Sequence, residues 1–244
     1  MHHSRPFALL VALLWLAGCT TGERDHPAFR LLSPEQTGVT FANTITTNDT
    51  FNIQTDVYVY NGAGVAVGDI DNDGLPDIFF SGNMVSSRLY RNKGHFKFED
   101  ITERVGVRTS RWATGATIVD INNDGYLDIY VSVSGPERSK AEERANLLFV
   151  NNKDGTFTEE AARYGIADTG FTTHAVFLDY DGDGCLDLFL LENSPKDFSR
   201  RHVSTLPSGM RGETLVNTPN GKAVIVANSG DSRAALQAWG IGPS

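Results

Sequence analysis

The sequence predicts an all-β fold: β-propeller blades, incomplete, about three of them in an open arc. Three observations lead there. The phrase GVAVGDIDNDGLPDIFF from Gly64 recurs as GATIVDINNDGYLDIYV from Gly115 and as HAVFLDYDGDGCLDLFL from His174. The leading aspartates Asp69, Asp120 and Asp179 lie 51 and 59 residues apart, which is the spacing of propeller blades and too long for a solenoid turn. Around each phrase, short apolar runs alternate with Gly, Asn and Asp turn chemistry, as strands joined by hairpins do.

Residues 1–18 read as an export signal. Arg5 is followed by an apolar run from Phe7 to Leu16, too short to span a bilayer as a mature helix. The run ends in LAGC at Cys19, which resembles the lipobox of bacterial lipoproteins. That resemblance implies cleavage before Cys19 and lipid on its sulfur. No Asp follows Cys19, which in the lipoprotein pattern implies the outer membrane or cell surface of a Gram-negative-type bacterium. Residues 19–55 are expected to be an N-terminal tether, with the segment from Phe29 to Thr55 the candidate for a covering strand.

The blades follow in order, about 56–108, 109–167 and 168–236, with the start of a fourth at 237–244. The first copy supplies strands at 64–68, 77–81, 88–92 and 96–100. RLYRNKGHFKFEDITERVGV from Arg88 matches NLLFVNNKDGTFTEEAARYGI from Asn146, each with a Gly turn, a Phe-bearing strand and a Gly-Val or Gly-Ile exit. The third copy is distorted: a polar insertion from Ser194 to Gly212 precedes a hairpin whose turn is read at Asn220 and Gly221. Trp239 and Gly242 echo Trp112 and Gly115, so the arc stops short of its next acidic loop and leaves an apolar end near Trp239. Missing blades from a longer chain, or self-association, would cover that end.

Numbered from its first aspartate, each loop carries acids or Asn at positions 1, 3, 5 and 9: Asp69, Asp71, Asp73 and Asp77; Asp120, Asn122, Asp124 and Asp128; Asp179, Asp181, Asp183 and Asp187. Position 6 is glycine, and position 7, Leu75, Tyr126 or Cys185, offers its carbonyl. Hard oxygen donors at alternating positions of a tight turn suit Ca²⁺ at about three sites. Aspartate and glycine also make ordinary turns, but packing like charges into nine residues three times over is repulsive without a cation. An EF-hand needs a bidentate Glu at position 12 between helices; here that position holds Phe80, Val131 and Leu190 between strands. Position 9 must close the site instead.

These loops resemble FG-GAP and VCBS repeats, as in the propellers of integrin α-subunits. The wider phrases YNGAGVAVGDIDNDGLPDIFFSGN, LYRNKG, DINNDGYLDIYVS and LDYDGDGCLDLFLLEN are similar to bacterial surface proteins of the ASPIC/UnbV (cartilage acidic protein-like) group, over about Thr37 to Asn193. The resemblance implies a calcium-binding propeller on a cell surface. His174 departs from the pattern, standing where the other copies have Gly64 and Gly115.

The net charge of −9 argues against nucleic acid, which a protein meets with a basic face. Loss of Arg5 with the signal makes it −10 and three Ca²⁺ bring it to −4. If Cys19 is lipidated, Cys185 has no intrachain cysteine partner. No catalytic constellation emerges: the histidines are scattered, His174 reads as a packed blade-edge residue, and Cys185 reads as incidental. The expected function is a binding or adhesion platform for an extracellular protein or glycan. The alternative is the propeller domain of a secreted carbohydrate-active lyase or hydrolase, or of its accessory subunit.

Overall fold

A computed structural model describes residues 29–136, 138–179, 185–192, 213–218 and 221–227, the last two segments by their backbone. The chain divides into two compact units, Met1–Ser33 and Pro34–Ser244. The export signal, Cys19, Trp239 and the insertion from Ser194 to Gly212 lie outside the described residues.

Among the described residues the second unit holds three four-stranded sheets. The first is a meander of β1 (Val65–Gly68), β2 (Asp77–Phe80), β3 (Arg88–Asn92) and β4 (Phe98–Asp100), all antiparallel neighbours. The second repeats it with β5 (Ala113–Val119), β6 (Asp128–Val133), β7 (Leu147–Asn151) and β8 (Phe157–Glu159). An irregular N-terminal stretch holds one helical turn, α1 (Pro34–Thr37), and the exits of the first two sheets hold one each, α2 (Thr102–Val105) and α3 (Ala161–Tyr164). The exits stop at Gly106 (φ 82°) and Gly165 (φ 71°), a left-handed cap that glycine adopts without a Cβ penalty. The next residues, Val107 and Ile166, then drop into the core. The Gly-Val and Gly-Ile phrases are therefore helix caps as well as exits.

Adjacent sheets pack face to face, with β1 against β5 and β5 against β9. Ala66, Phe79 and Leu89 of the first sheet share a core with Ala116, Ile129 and Val131 of the second. On the other face of the second sheet, Tyr130, Leu148 and Val150 meet Ala175, Leu188 and Leu190 of the third. Each of the Val, Leu, Ile and Phe side chains among these, fully buried, contributes about 1.5–3 kcal/mol before conformational entropy is set against it. The innermost strands come closer still. A Cβ on Gly64 would sit 2.8 Å from the Gly115 Cα, and one on Gly115 would sit 2.7 Å from the Thr173 carbonyl oxygen.

The third sheet has the order β11-β12-β10-β9, from β9 (Thr172–Leu178), β10 (Asp187–Glu192), β11 (Glu213–Thr218) and β12 (Gly221–Ala227). Here β12 runs parallel to β10. A parallel neighbour requires a crossover of a dozen or more residues, and the stretch between Glu192 and Glu213 is long enough. The hairpin closes, but Gly221 lies inside β12 opposite Thr218, where the sequence reading puts it in the turn.

Among the described residues the sheets do not close into a ring, and repeat-equivalent positions reveal the two ends. Val65 is 54% exposed, whereas its equivalent Ala116 is 6% exposed; Val176 is 44% exposed, whereas its equivalent Ala66 is 8% exposed. The same positions are thus buried between sheets and bare at the ends. The stretch expected to add a covering strand at the first end has irregular backbone, with an isolated bridge between Asn48 and Phe51. It covers part of that face with a side chain: Phe41 stacks on Phe80 with ring centroids 5.2 Å apart, a contact worth about 0.5–1.5 kcal/mol beyond area burial. Among the described residues no helix is long and apolar enough to cross a membrane.

Candidate metal centre

Each acidic loop joins the first strand of a sheet to the second, so the strand pair fixes its ends. Inside loop one, Asp69 accepts the backbone N–H groups of Asp73 on Oδ1 (3.1 Å) and of Gly74 on Oδ2 (2.8 Å). Asp73 accepts that of Leu75 at 2.9 Å. Loop two repeats the set: Asp120 accepts from Asp124 (2.9 Å) and Gly125 (2.8 Å), and Asp124 accepts from Tyr126 (2.9 Å). Two left-handed residues make this curl. Gly74 and Gly125 have φ of 86° and 85°, and Asn72 and Asn123, at position 4, have φ of 57° and 55°. Asparagine is among the few residues that tolerate that region, so Asn72 and Asn123 at position 4 mark the curl in the sequence itself.

The position-9 carboxylates do something the spacing does not reveal. Asp77 accepts the Ile70 N–H on Oδ2 (3.0 Å) and the Asn92 N–H on Oδ1 (2.7 Å). Asp128 does the same with Ile121 (3.0 Å) and Asn151 (2.8 Å). Each therefore ties the start of its loop to the third strand of its sheet. Asp77 and Asp128 are wholly buried and Asp187 nearly so. Burial pushes the Asp77 and Asp128 carboxyls up to about 6 against the pull of those N–H groups, and Asp71 and Asp73 push Asp77 further in the same direction. Each oxygen keeps a lone pair beyond its hydrogen bond, so the clamp does not use up its donor capacity.

Ligand atoms of Asp69, Asp71 and Asp77 lie within 4.8 Å of one another, and no other group of His, Cys, Asp or Glu gathers in this way among the described residues. In loop two the Asn122 Oδ1, at ligand position 3, is buried with no hydrogen-bond partner. An orphaned acceptor between carboxylates fits a hard cation, and the donor set is all oxygen, as Ca²⁺ prefers. Of loop three, Asp179, Cys185 and Asp187 are described, while Asp181 and Asp183 lie outside the described residues. His174, on the innermost strand, is exposed.

Two cations that sequence reading overlooked stand against the loops. Arg91 reaches Asp71 at 2.6 Å and Asp73 at 3.1 Å. Lys153 reaches Asp124 at 3.2 Å and lies over the Tyr126 ring, 5.5 Å from its centroid. Asn92 and Asn151 were legible only through the aligned phrases LYRN and LFVN, where they occupy one position.

Residues 69–131 and 138–190 match the FG-GAP-like repeat. Each matched segment straddles two sheets. Over 79 residues the chain is 38% identical to cartilage acidic protein 1 of Xenopus tropicalis, covering 32% of this chain and 12% of that protein. It is 30% identical to the Homo sapiens protein of the same name over 133 residues, covering 53% of this chain and 20% of the relative. The chain thus spans a fifth or less of the length of these relatives. Residues 69–131 and 138–190 carry FG-GAP-like repeats, and the chain is a distant homologue of cartilage acidic protein 1.

Proposed function

We propose that this chain is an exported, calcium-pinned repeat platform that presents its loops to an extracellular protein or glycan. Calcium is held in loops one, two and three by the carboxylates at positions 1, 3, 5 and 9, with Asn122 at position 3 of loop two and the carbonyls of Leu75, Tyr126 and Cys185 at position 7. One observation carries the reading: two loops 51 residues apart repeat the same carboxylate-to-backbone bonds and share an all-oxygen donor set. Bound calcium would supply charge neutralisation, and the chain's own carboxylate-to-backbone bonds set the curl of loops one and two. The relatives' name places them in cartilage, which supports an extracellular setting. Lipid on Cys19 would hold the chain at an outer membrane or cell surface, and labelled fatty acid entering the wild type but not Cys19→Ala tests that anchor.

The metal test is a calorimetric titration of the metal-stripped chain with calcium. About three sites are expected, with dissociation constants up to ~10⁻⁴–10⁻³ M, the range of extracellular modules. Asp69→Ala should remove one site and Cys185→Ser none. Absence of any calcium heat would overturn the reading.

A further inference from the structure

Between the first two sheets, beside loop one, lies a cavity of ≈ 180 Å³ lined by Asp71, Arg91, Arg104, Tyr126, Lys153 and Phe157 among others. Three cations and one acid at the edge of an apolar space make it electropositive once the acid has another partner. The Arg91 Nε is buried and has no acceptor, although the same guanidinium spends a terminal nitrogen on Asp71 and Asp73. The Arg91 side chain is 32% exposed, and a guanidinium carries five N–H donors, more than two carboxylate contacts through one nitrogen can use. Lys153 is held by Asp124 at 3.2 Å and Arg104 by Glu99 at 3.3 Å, a pair more than 40% exposed on both sides. Exposed pairs of this kind are worth about 0–1 kcal/mol and are readily exchanged.

We propose that this cavity binds a small carboxylate through Arg91, Arg104 and Lys153, and that calcium in the neighbouring loops makes it competent. The inference rests on the calcium reading above. Asp71, Asp73 and Asp124, the partners of Arg91 and Lys153, are the residues that would hold metal. A cation in the loops takes those carboxylates and leaves the guanidinium and ammonium groups to face the cavity unpaired. In the metal-free chain Arg91 is the counter-ion of loop one, so it competes with calcium for the same oxygens. The space is equivalent to about six water-sized groups, below the roughly 300 Å³ at which pockets for drug-sized ligands begin. It suits the acidic end of a larger molecule, either one uronate ring edge or one acidic peptide side chain. Tyr126 and Phe157 supply flat apolar walls, and the guanidinium of Arg91 offers the fork geometry that carboxylates prefer.

The test titrates the full chain with glucuronate, with N-acetylaspartate and with neutral glucose, each in calcium and in chelator, alongside a separate calcium titration. Glucuronate or N-acetylaspartate should bind in calcium and about 5- to 100-fold more weakly in chelator, the usual span of a coupling between sites; the tighter of the two identifies sugar or peptide as the source. Glucose should not bind. Arg104→Gln should weaken carboxylate binding several-fold and leave calcium stoichiometry unchanged. Arg91→Met should tighten calcium at loop one, weaken carboxylate binding, and leave only the part of its calcium dependence that runs through Lys153 and Asp124. Calcium binding without carboxylate binding overturns the cavity and leaves the metal reading standing. Carboxylate binding that ignores calcium overturns the coupling, an unaltered Arg104→Gln removes the assigned contact, and a chain that binds no calcium loses both readings.

Discussion

The side-chain amide of Asn151, on the third strand of the second sheet, donates to the carbonyl of Ile70, inside the first acidic loop, at 2.8 Å. It also donates to Leu127 at 3.2 Å and accepts from the Lys153 N–H at 2.9 Å. One buried amide thus holds two loops and two sheets together. Its repeat counterpart Asn92 bonds only within its own sheet, to Pro76 and Gly94. Asn151→Ala should therefore cost about 1–3 kcal/mol by stranding buried backbone groups, against about 0.5–1.5 for Asn92→Ala. Denaturant unfolding of both variants checks the order; equal losses would mean that the link between sheets adds nothing.

Calcium should raise the melting temperature. Occupancy at ten times the dissociation constant contributes about 1.4 kcal/mol per site through mass action. Asp73→Ala should lower that gain by one site's share. A melting temperature indifferent to calcium and chelator in the wild type would contradict the proposed sites.

Gly115→Ala should be destabilising although both residues are small. The new Cβ would lie 2.7 Å from the backbone oxygen of Thr173, and backbone cannot rotate out of the way. Overpacking of this kind costs about 1–3 kcal/mol. His174→Gly, at the equivalent but exposed position, should change stability much less. Thermal melts of the two variants in chelator decide it.

Stability should fall between pH 4.5 and 8 because of Glu192. Burial, then a hydrogen bond that the protonated Glu192 donates to Asp168 and repulsion by the Asp168 charge, push this carboxyl from its ordinary 4.5 up to about 8, against Thr172 and Arg144. The folded chain keeps a proton there that the unfolded chain releases. The associated stability is complete below pH 4.5 and is lost as pH rises through about 8. Glu192→Gln should flatten that part of the profile and stabilise the chain at pH 8. Superimposable pH profiles for the two proteins would contradict the assignment.

The bare end faces should make the chain self-associate unless further blades cover them. Val65 and Val67 are exposed at one end and Val176, Leu178 and Leu191 at the other. Paired substitution of Val67 and Val176 by Lys should shift sedimentation toward the monomer. A wild-type chain that is monomeric at high concentration would show that these faces do not attract each other.

The sheets were legible because their signal is local. The apolar run DIFF and the phrase RLYRN are β2 and β3 themselves, and the aspartate spacing located every described loop. The order of the third sheet was not legible, since β12 beside β10 depends on where a long crossover lands and not on any residue within the strands. At the candidate site the acids were readable because they cluster in nine residues. Arg91 and Lys153 were not, being 18 residues from Asp73 and 29 from Asp124 and brought there only by strand pairing. The clamp at position 9 was missed for the same reason: its partner Asn92 lies across the sheet from the loop.

That clamp bears on how little a cation has to rearrange. With both oxygens of Asp77 already fastening Ile70 and Asn92, the loop has its curvature before any ion arrives. Ordering a flexible loop costs about 1–2 kcal/mol of backbone entropy per residue, and here folding meets that cost in advance. On the proposed reading calcium would therefore meet a loop already curved and would have only to displace the counter-ions Arg91 and Lys153 from Asp71, Asp73 and Asp124, so the far-ultraviolet dichroism of the chain should change little on loading.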